Sequence, residues 1–313
     1  MGYLTKWGGM WGDIPLTSGR IFFVAPTSYT IEGRSYSASD NNDGLSPERA
    51  LATVNQFVTN ATADVGDMCI LVPGTYSFSA TQTISKAGLK VYGIPGGLLD
   101  PHEHGTRTTR YPASVTTSAS AAVFTVTAAR TEIAFLHIIP PSAQAGVDLA
   151  AADLNLHDCT WNMSTAANTA TFGISVTGAS ARPRISNHYV FVADNQGPFL
   201  RCASATGALT GGVLQRSLIY LTGDTAWDDV VEITTGVDNF MVRDCDFFHS
   251  SGAVMTDVID VTGNTDDHAV AVVRCMHAVA GDLTEATATS DIVLCNNYIA
   301  TIQGGTGGTL STG

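Results

Sequence analysis

Long apolar runs are missing from this chain: no stretch of 18 residues stays apolar, so no ordinary membrane-spanning helix is expected and no membrane partner either. Charge is also scarce, at 14% of residues, and cations are the scarcer sign, with 15 Lys or Arg against 28 Asp or Glu for a net of -13. The deficit is lopsided. Residues 1–110 carry 8 cations against 9 carboxylates, whereas residues 111–313 carry 7 against 19. A surface that acidic repels phosphate backbones, which excludes nucleic acid as a partner of the second half. The six cysteines, Cys69, Cys159, Cys202, Cys245, Cys275 and Cys295, show no CxxC or other metal spacing and read as buried thiols. The opening MGYLTKWGGMWGDIPLTSG is broken by Gly, Trp and Asp where the apolar core of a secretory signal should run, so cytoplasmic synthesis without a signal peptide is expected.

What the chain has in quantity is Gly, Ala, Thr and Ser among short apolar runs, which suits many brief strands and tight corners. Those runs repeat. An eight-residue template, apolar at places one, three and eight and small or polar at place six, fits Leu154–Trp161, Phe240–Phe247, Val270–His277 and Ile292–Ile299, with weaker copies ending at Ile138, Val190 and Ile219. Place six falls at residues 136, 159, 188, 217, 245, 275 and 297, so one coil takes 22 to 30 residues. The apolar places change parity between three and six. Side chains alternate across a strand with period two, so two inward-facing sets out of phase require a corner between two strands. The small or hydrogen-bonding residue at place six is expected inside that corner, stacking from coil to coil. A coil of strands joined by corners is a solenoid turn, and an antiparallel sandwich is the competing fold.

Ahead of the repeats, SASDNNDGLSPERALATVNQFV carries helix signals: Ser46 as N-cap, Pro47 at the first position, Glu48 at the positive end, and Leu51, Val54, Phe57 and Val58 at helical spacing. A helix is expected at about 47–60, followed in GDMCILVPGTYSF by a buried strand running into a Pro-Gly turn. The order DGLSPERAL, short helix, GDMCILVPGTY resembles the opening segment of pectate-lyase-like right-handed parallel β-helix proteins. That resemblance implies an all-β solenoid whose open end is plugged by a short N-terminal capping helix. It also implies a fold shared by polysaccharide lyases, bacterial surface proteins and phage tail and capsid-surface proteins. The expected division is an N-terminal docking arm over 1–24, a β-helix over 25–300 and a flexible Gly-rich tail over 301–313.

Enzymes that cut polysaccharide with paired carboxylates need a cluster of them on one outer face. The chain offers doublets: Asp244 with Asp246, Asp228 with Asp229, and Asp266 with Asp267. Place five of successive coils holds Asp158, Asn187, Arg216, Asp244, Arg274 and Asn296, so an Arg216, Asp244, Arg274 charge ladder explains Asp244 more simply than catalysis does. Asp244 and Asp246 remain the catalytic candidates of the enzyme reading. His102 and His104 lack a third ligand at a motif distance, and GGTGGT lacks the Lys and helix of a phosphate loop, so neither a metal nor a cofactor is expected.

Three functions follow as alternatives. The first is a structural protein on a virion surface, a capsid decoration (cement) protein bound to capsid or other virion proteins through the aromatic arm, with Tyr3, Trp7 and Trp11 as anchors. The second is a tail spike or fibre that binds or cleaves host polysaccharide. The third is a carbohydrate-binding adhesion module. Place seven points outward yet holds Thr160, Tyr189, Leu218, Asp246, Met276 and Tyr298. A stripe through Tyr189, Leu218, Met276 and Tyr298 predicts a homo-oligomer, a trimer, packed along the flank of the solenoid.

Overall fold

The computed structural model describes residues 17–94 apart from 32, 113–163, 171–192, 197–202, 208–221, 229–249 apart from 235, 254–261, 270–286 apart from 279, and 292–299. Three long sheets of 11, 9 and 8 strands run along the chain, and every pairing within them is parallel. From Met68 to Ala286 the described chain passes through the three sheets in turn, coil after coil, and the first sheet gains extra strands at Ile21–Val24 and Ala179–Ala181. One coil, for example, places Asn155–His157 in the first sheet, Thr160–Met163 in the second and Phe172–Val176 in the third. The next coil stacks on it in register, with Leu156 beside Ile185, Trp161 beside Val190 and Ile174 beside Leu200. This is the parallel β-helix that the parity change demanded.

The corner between the first and second sheets is turned by one residue. Place five adopts a left-handed backbone in every described coil from Phe135 onward, with φ of 61° at Phe135, 51° at Asp158, 59° at Asn187, 50° at Arg216, 53° at Asp244, 52° at Arg274 and 53° at Asn296. Asn and Asp tolerate this region through local hydrogen bonding, while Phe and Arg accept it at a cost of about 1–2 kcal/mol. The turn therefore sits one place earlier than the sequence predicts. Place six is the first residue to point inward, and Cys159, His188, Ser217, Cys245 and Cys275 are all buried there. A second left-handed column runs through Asp64, Gly88, Arg130, Asp153, Arg182, Gly211 and Asn239; Gly88, Arg130 and Asp153 turn the corner from the third sheet back to the first, while Gly211 and Asn239 fall inside first-sheet strands.

The interior is a continuous apolar column. Cys69, Val91, Ile133, Leu156, Ile185, Leu214, Val242 and Val272 line the inner side of the first sheet. Mid-solenoid, Trp161 packs edge-on against Phe199 at 5.3 Å and donates its indole N–H to His188 Nδ1 at 3.2 Å. Nε2 of His188 in turn reaches the Leu156 carbonyl at 3.1 Å, and burial lowers the imidazole to about 4, so it is a neutral core residue.

The N-terminal end departs from expectation in two ways. Residues 21–24 do not belong to a docking arm: Ile21–Val24 is the first strand of the first sheet and pairs with Met68–Leu71. The helix of 47–60 is split, with a single 3-10 turn at Pro47–Arg49 and an α-helix only from Val54 to Asn60. Ser46 makes no side-chain cap. Thr53 is the N-cap, accepting from the Gln56 N–H at 3.1 Å. The break has a cause: Leu51 bridges to Val24, and the Asp40 carboxylate accepts from the N–H groups of Ala52 and Thr53, holding the segment extended. Val54, Phe57 and Val58 still plug the interior as the pattern required. A hairpin, Ser28–Ile31 with Arg34–Ser37, covers the outer side of the first sheet over Met68, Ile70 and Tyr92.

Candidate functional site

Asp244 and Asp246, the catalytic candidates, sit in different settings. Asp244 sits at the left-handed corner, where Arg274 grips it by two bonds of 2.7 and 2.8 Å; that clamp, aided by the charges of Arg243 and Arg216, holds its carboxyl below the usual range. Asp246 projects from the second sheet, and burial alone pushes its carboxyl up. The ladder predicted at place five is thus present between Asp244 and Arg274, with Arg216 acting on Asp244 through charge.

The stripe at place seven is in register along the second sheet, where Thr160, Tyr189, Leu218, Asp246, Met276 and Tyr298 are successive cross-strand partners. Tyr189, Leu218, Asp246 and Met276 are half-buried. Thr160 is buried, bonded to its cross-strand partner His137 at Nδ1 at 2.8 Å. Two places further along each strand a second outward column runs beside the first: Asn162, Phe191, Tyr220 and Phe248. Phe191 and Tyr220 stack across coils at 6.3 Å and 26°. The template stopped at place eight and so missed this column, although its period alone would have located it.

A polar row on the outer side of the third sheet was not anticipated at all. Thr125, Asp148, Ser175, Arg201, Glu232 and Asp260 are successive partners. Arg201 meets Glu232 at 2.9 Å and lies over the Phe172 ring at 4.6 Å. Burial raises the Asp148 carboxyl, the direction that suits a proton donor. Asp148 and Glu232 are three coils apart, about 14 Å at 4.8 Å per coil, whereas Glu232 and Asp260 are direct partners one coil step apart, near the roughly 5–9.5 Å over which paired carboxylates act on one glycosidic bond. The row can hold a hydroxyl-rich or charged chain along its length.

The tightest polar cluster lies on the first sheet. His157 is held between two carboxylates, Nε2 to Glu132 at 3.0 Å and Nδ1 to Asp158 at 2.8 Å, while Lys90 reaches Glu132 at 3.2 Å. Burial opposes these charges, but the hydrogen bonds outweigh it: His157 rises to about 9 and Glu132 falls to about 2. The Tyr92 hydroxyl is buried beside Glu132 without a bond of full geometry, and burial, then that carboxylate, push the phenol up. With both imidazole nitrogens engaged, His157 cannot accept a proton from a substrate. The cluster is a clamp.

Tyr3, Trp7, Trp11, His102, His104, Asp228, Asp266 and Asp267 lie outside the described residues. Among the described residues no group of three or more His, Cys, Asp or Glu is placed to hold a metal ion.

With the geometry in place, the chain can be set beside known proteins. No protein-family model and no curated protein matches it. Solved structures do. The pectin methylesterase of Aspergillus niger aligns over 91% of this chain and 87% of its own, with a TM-score of 0.52 and 13% identity. A pectate lyase aligns over 88% of this chain and 79% of its own, with a TM-score of 0.44 and 13% identity, and ORF18 of Geobacillus virus E2 over 82% and 59%, with a TM-score of 0.34 and 11% identity. The fold is a right-handed parallel β-helix. At such identity the likeness reaches the fold and stops there.

Proposed function

We propose that this chain is a structural protein of a virion surface, a capsid decoration protein held by its N-terminal arm and packed flank to flank as a homotrimer. The observation that carries the reading is the two-column stripe on the second sheet, Tyr189, Leu218 and Met276 beside Phe191, Tyr220 and Phe248. Its rungs repeat once per coil, so the surface that matches it best is another solenoid of the same pitch, that is, a second copy. The stacking of Phe191 on Tyr220 supports a protein partner over a sugar, because the ring faces a sugar would use are turned toward each other. Light scattering tests the assembly. Wild-type protein should be trimeric, Leu218→Asp and Met276→Asp should shift it to monomer, and a wild-type monomer at high concentration would overturn the stripe's role. Deleting residues 2–16 should leave folded protein that no longer binds particles.

A second reading, a spike that acts on host polysaccharide, draws on the third-sheet row with its raised Asp148 and its Arg201, Glu232 pair. New reducing ends or unsaturated products from polysaccharide, abolished by Asp148→Asn but not by the double change Asp244→Asn and Asp246→Asn, would replace the structural reading with this one.

A further inference from the structure

Place six stacks two sulfur atoms on consecutive coils. Cys245 and Cys275 are bracketed by paired residues on both sides, Arg243 with Val273 and Asp246 with Met276, and the Met276 N–H donates to the Cys245 carbonyl at 2.9 Å. One coil step, about 4.8 Å, lies between their backbones, inside the separation that a disulfide spans. Both side chains are buried and reduced, and their thiols donate to backbone carbonyls, Cys245 to Arg243 at 3.3 Å and Cys275 to Val273 at 3.6 Å. The other described cysteines lack such a neighbour in this column: Cys159 has Leu136 and His188 at place six of the adjoining coils.

We infer that Cys245 and Cys275 form an oxidation site, closed to a disulfide by a low-molecular-weight disulfide such as oxidised glutathione. The Cys275 thiolate attacks the small disulfide and releases one small thiolate. The Cys245 thiol then gives up its proton to solvent, attacks the Cys275 sulfur of the mixed disulfide and expels the second small thiolate. Two protein thiols lose two electrons, and one small disulfide becomes two thiols. Cys275, one coil nearer the C-terminal end, is the first nucleophile because the opening of the last coils reaches it before Cys245. Access comes from the solenoid's C-terminal end. The coil after Cys275 exposes its inward residue Leu294 to 54%, so the last coils have the least packing to lose on opening. The bond would tie the coil of Val237–Arg243 to the coil of Val270–Val273 before that end frays, and a chain that folds in a reducing cytoplasm would acquire it on release to an oxidising medium. The inference stands apart from the assembly reading.

The full chain, with Cys295→Ser to remove the exposed thiol, is incubated with oxidised glutathione at a temperature where amide exchange shows the last coils opening. Unreduced peptide mapping should recover the Cys245 and Cys275 peptides joined, separated again by a thiol reductant, with a higher melting temperature for the oxidised protein than for the reduced. Two unlinked peptides, or glutathione retained on Cys275, under conditions where exchange proves the coils open, would overturn the assignment.

Discussion

The two ends of this solenoid are built on different terms. At the N-terminal end the interior is stoppered by the Val54–Asn60 helix, with Phe57 fully buried against Phe22 at 5.4 Å, and the outer side of the first sheet lies under a hairpin. At the other end the last described coil leaves Leu294 54% and Val293 55% exposed, although Leu294 occupies the inward place that is sealed in every earlier coil. Stability in a coil stack is a sum of nearest-neighbour interfaces, so a coil with one neighbour holds less than a coil with two. Among the described residues, therefore, the helix end is covered and the last coil is the less packed of the two. The same side chain in the same place of the template is core at one end and surface at the other.

Truncation at each end is the sharpest way to break that contrast. Phe57→Ala should destabilise the chain by about 3–5 kcal/mol, because a fully buried ring is removed from a packed plug, whereas Leu294→Ala should change stability by less than about 1 kcal/mol. Denaturant unfolding followed by tryptophan fluorescence measures both. Equal effects would mean that the C-terminal coil is as well covered as the helix end.

The clamp, set mid-solenoid between the two ends, should give the coils around it a pH signature. His157 is raised to about 9 from an ordinary 6.5, so its contribution is complete below about pH 6.5 and is lost as pH rises through 9. Glu132 is depressed to about 2 from an ordinary 4.5, so its contribution is complete above about pH 4.5 and is lost as pH falls toward 2. The clamp is strongest between those limits. His157→Gln should remove about 1–3 kcal/mol near pH 6 and flatten the alkaline limb. Amide exchange of the coils around Glu132 and His157 across pH 5 to 10 checks it, and an unchanged alkaline limb in the variant would assign that limb to other groups.

How much of this could be seen in the sequence depended on whether loop length disturbed the count. First and second sheets are joined by a one-residue corner, so places one to eight keep a fixed offset, and both the inward column and the stripe at Tyr189, Leu218 and Met276 could be placed. The third sheet follows connections of unequal length, from Ile138 to Ala145 in one coil and from Leu221 to Val231 in another. No fixed spacing therefore links Asp148, Arg201, Glu232 and Asp260, and the row emerged only from strand pairing. The clamp was hidden for a related reason: Glu132 and His157 belong to neighbouring coils, and Phe135 at place five gave the weak copy of that coil no charge to align. Local signals at Ser46 and Pro47 predicted one capped helix and yielded only an uncapped 3-10 turn, because the pull of Asp40 and of the Val24 bridge on residues 51–53 acts across the fold.

The smallest expected effect lies at the corner column and concerns the sign of a compromise. Arg216 is exposed and holds φ at 50°, a region where an arginine side chain costs about 1–2 kcal/mol and an asparagine much less. Its return is a charge that lowers the Asp244 carboxyl from the next coil, a contribution weakened by solvent because Arg274 already supplies the direct bonds. Asn187 and Asn296 occupy the same place in neighbouring coils with φ of 59° and 53°, so the column accepts asparagine without rearrangement. Arg216→Asn should accordingly stabilise the chain by up to about 1 kcal/mol, while the same change at Arg274 should not, since it strips Asp244 of its two-pronged partner. Parallel melting curves of the two variants decide the matter. Loss of stability in Arg216→Asn equal to that in Arg274→Asn would show that the ladder acts as one cooperative unit and that backbone strain at this corner is already relieved by its neighbours.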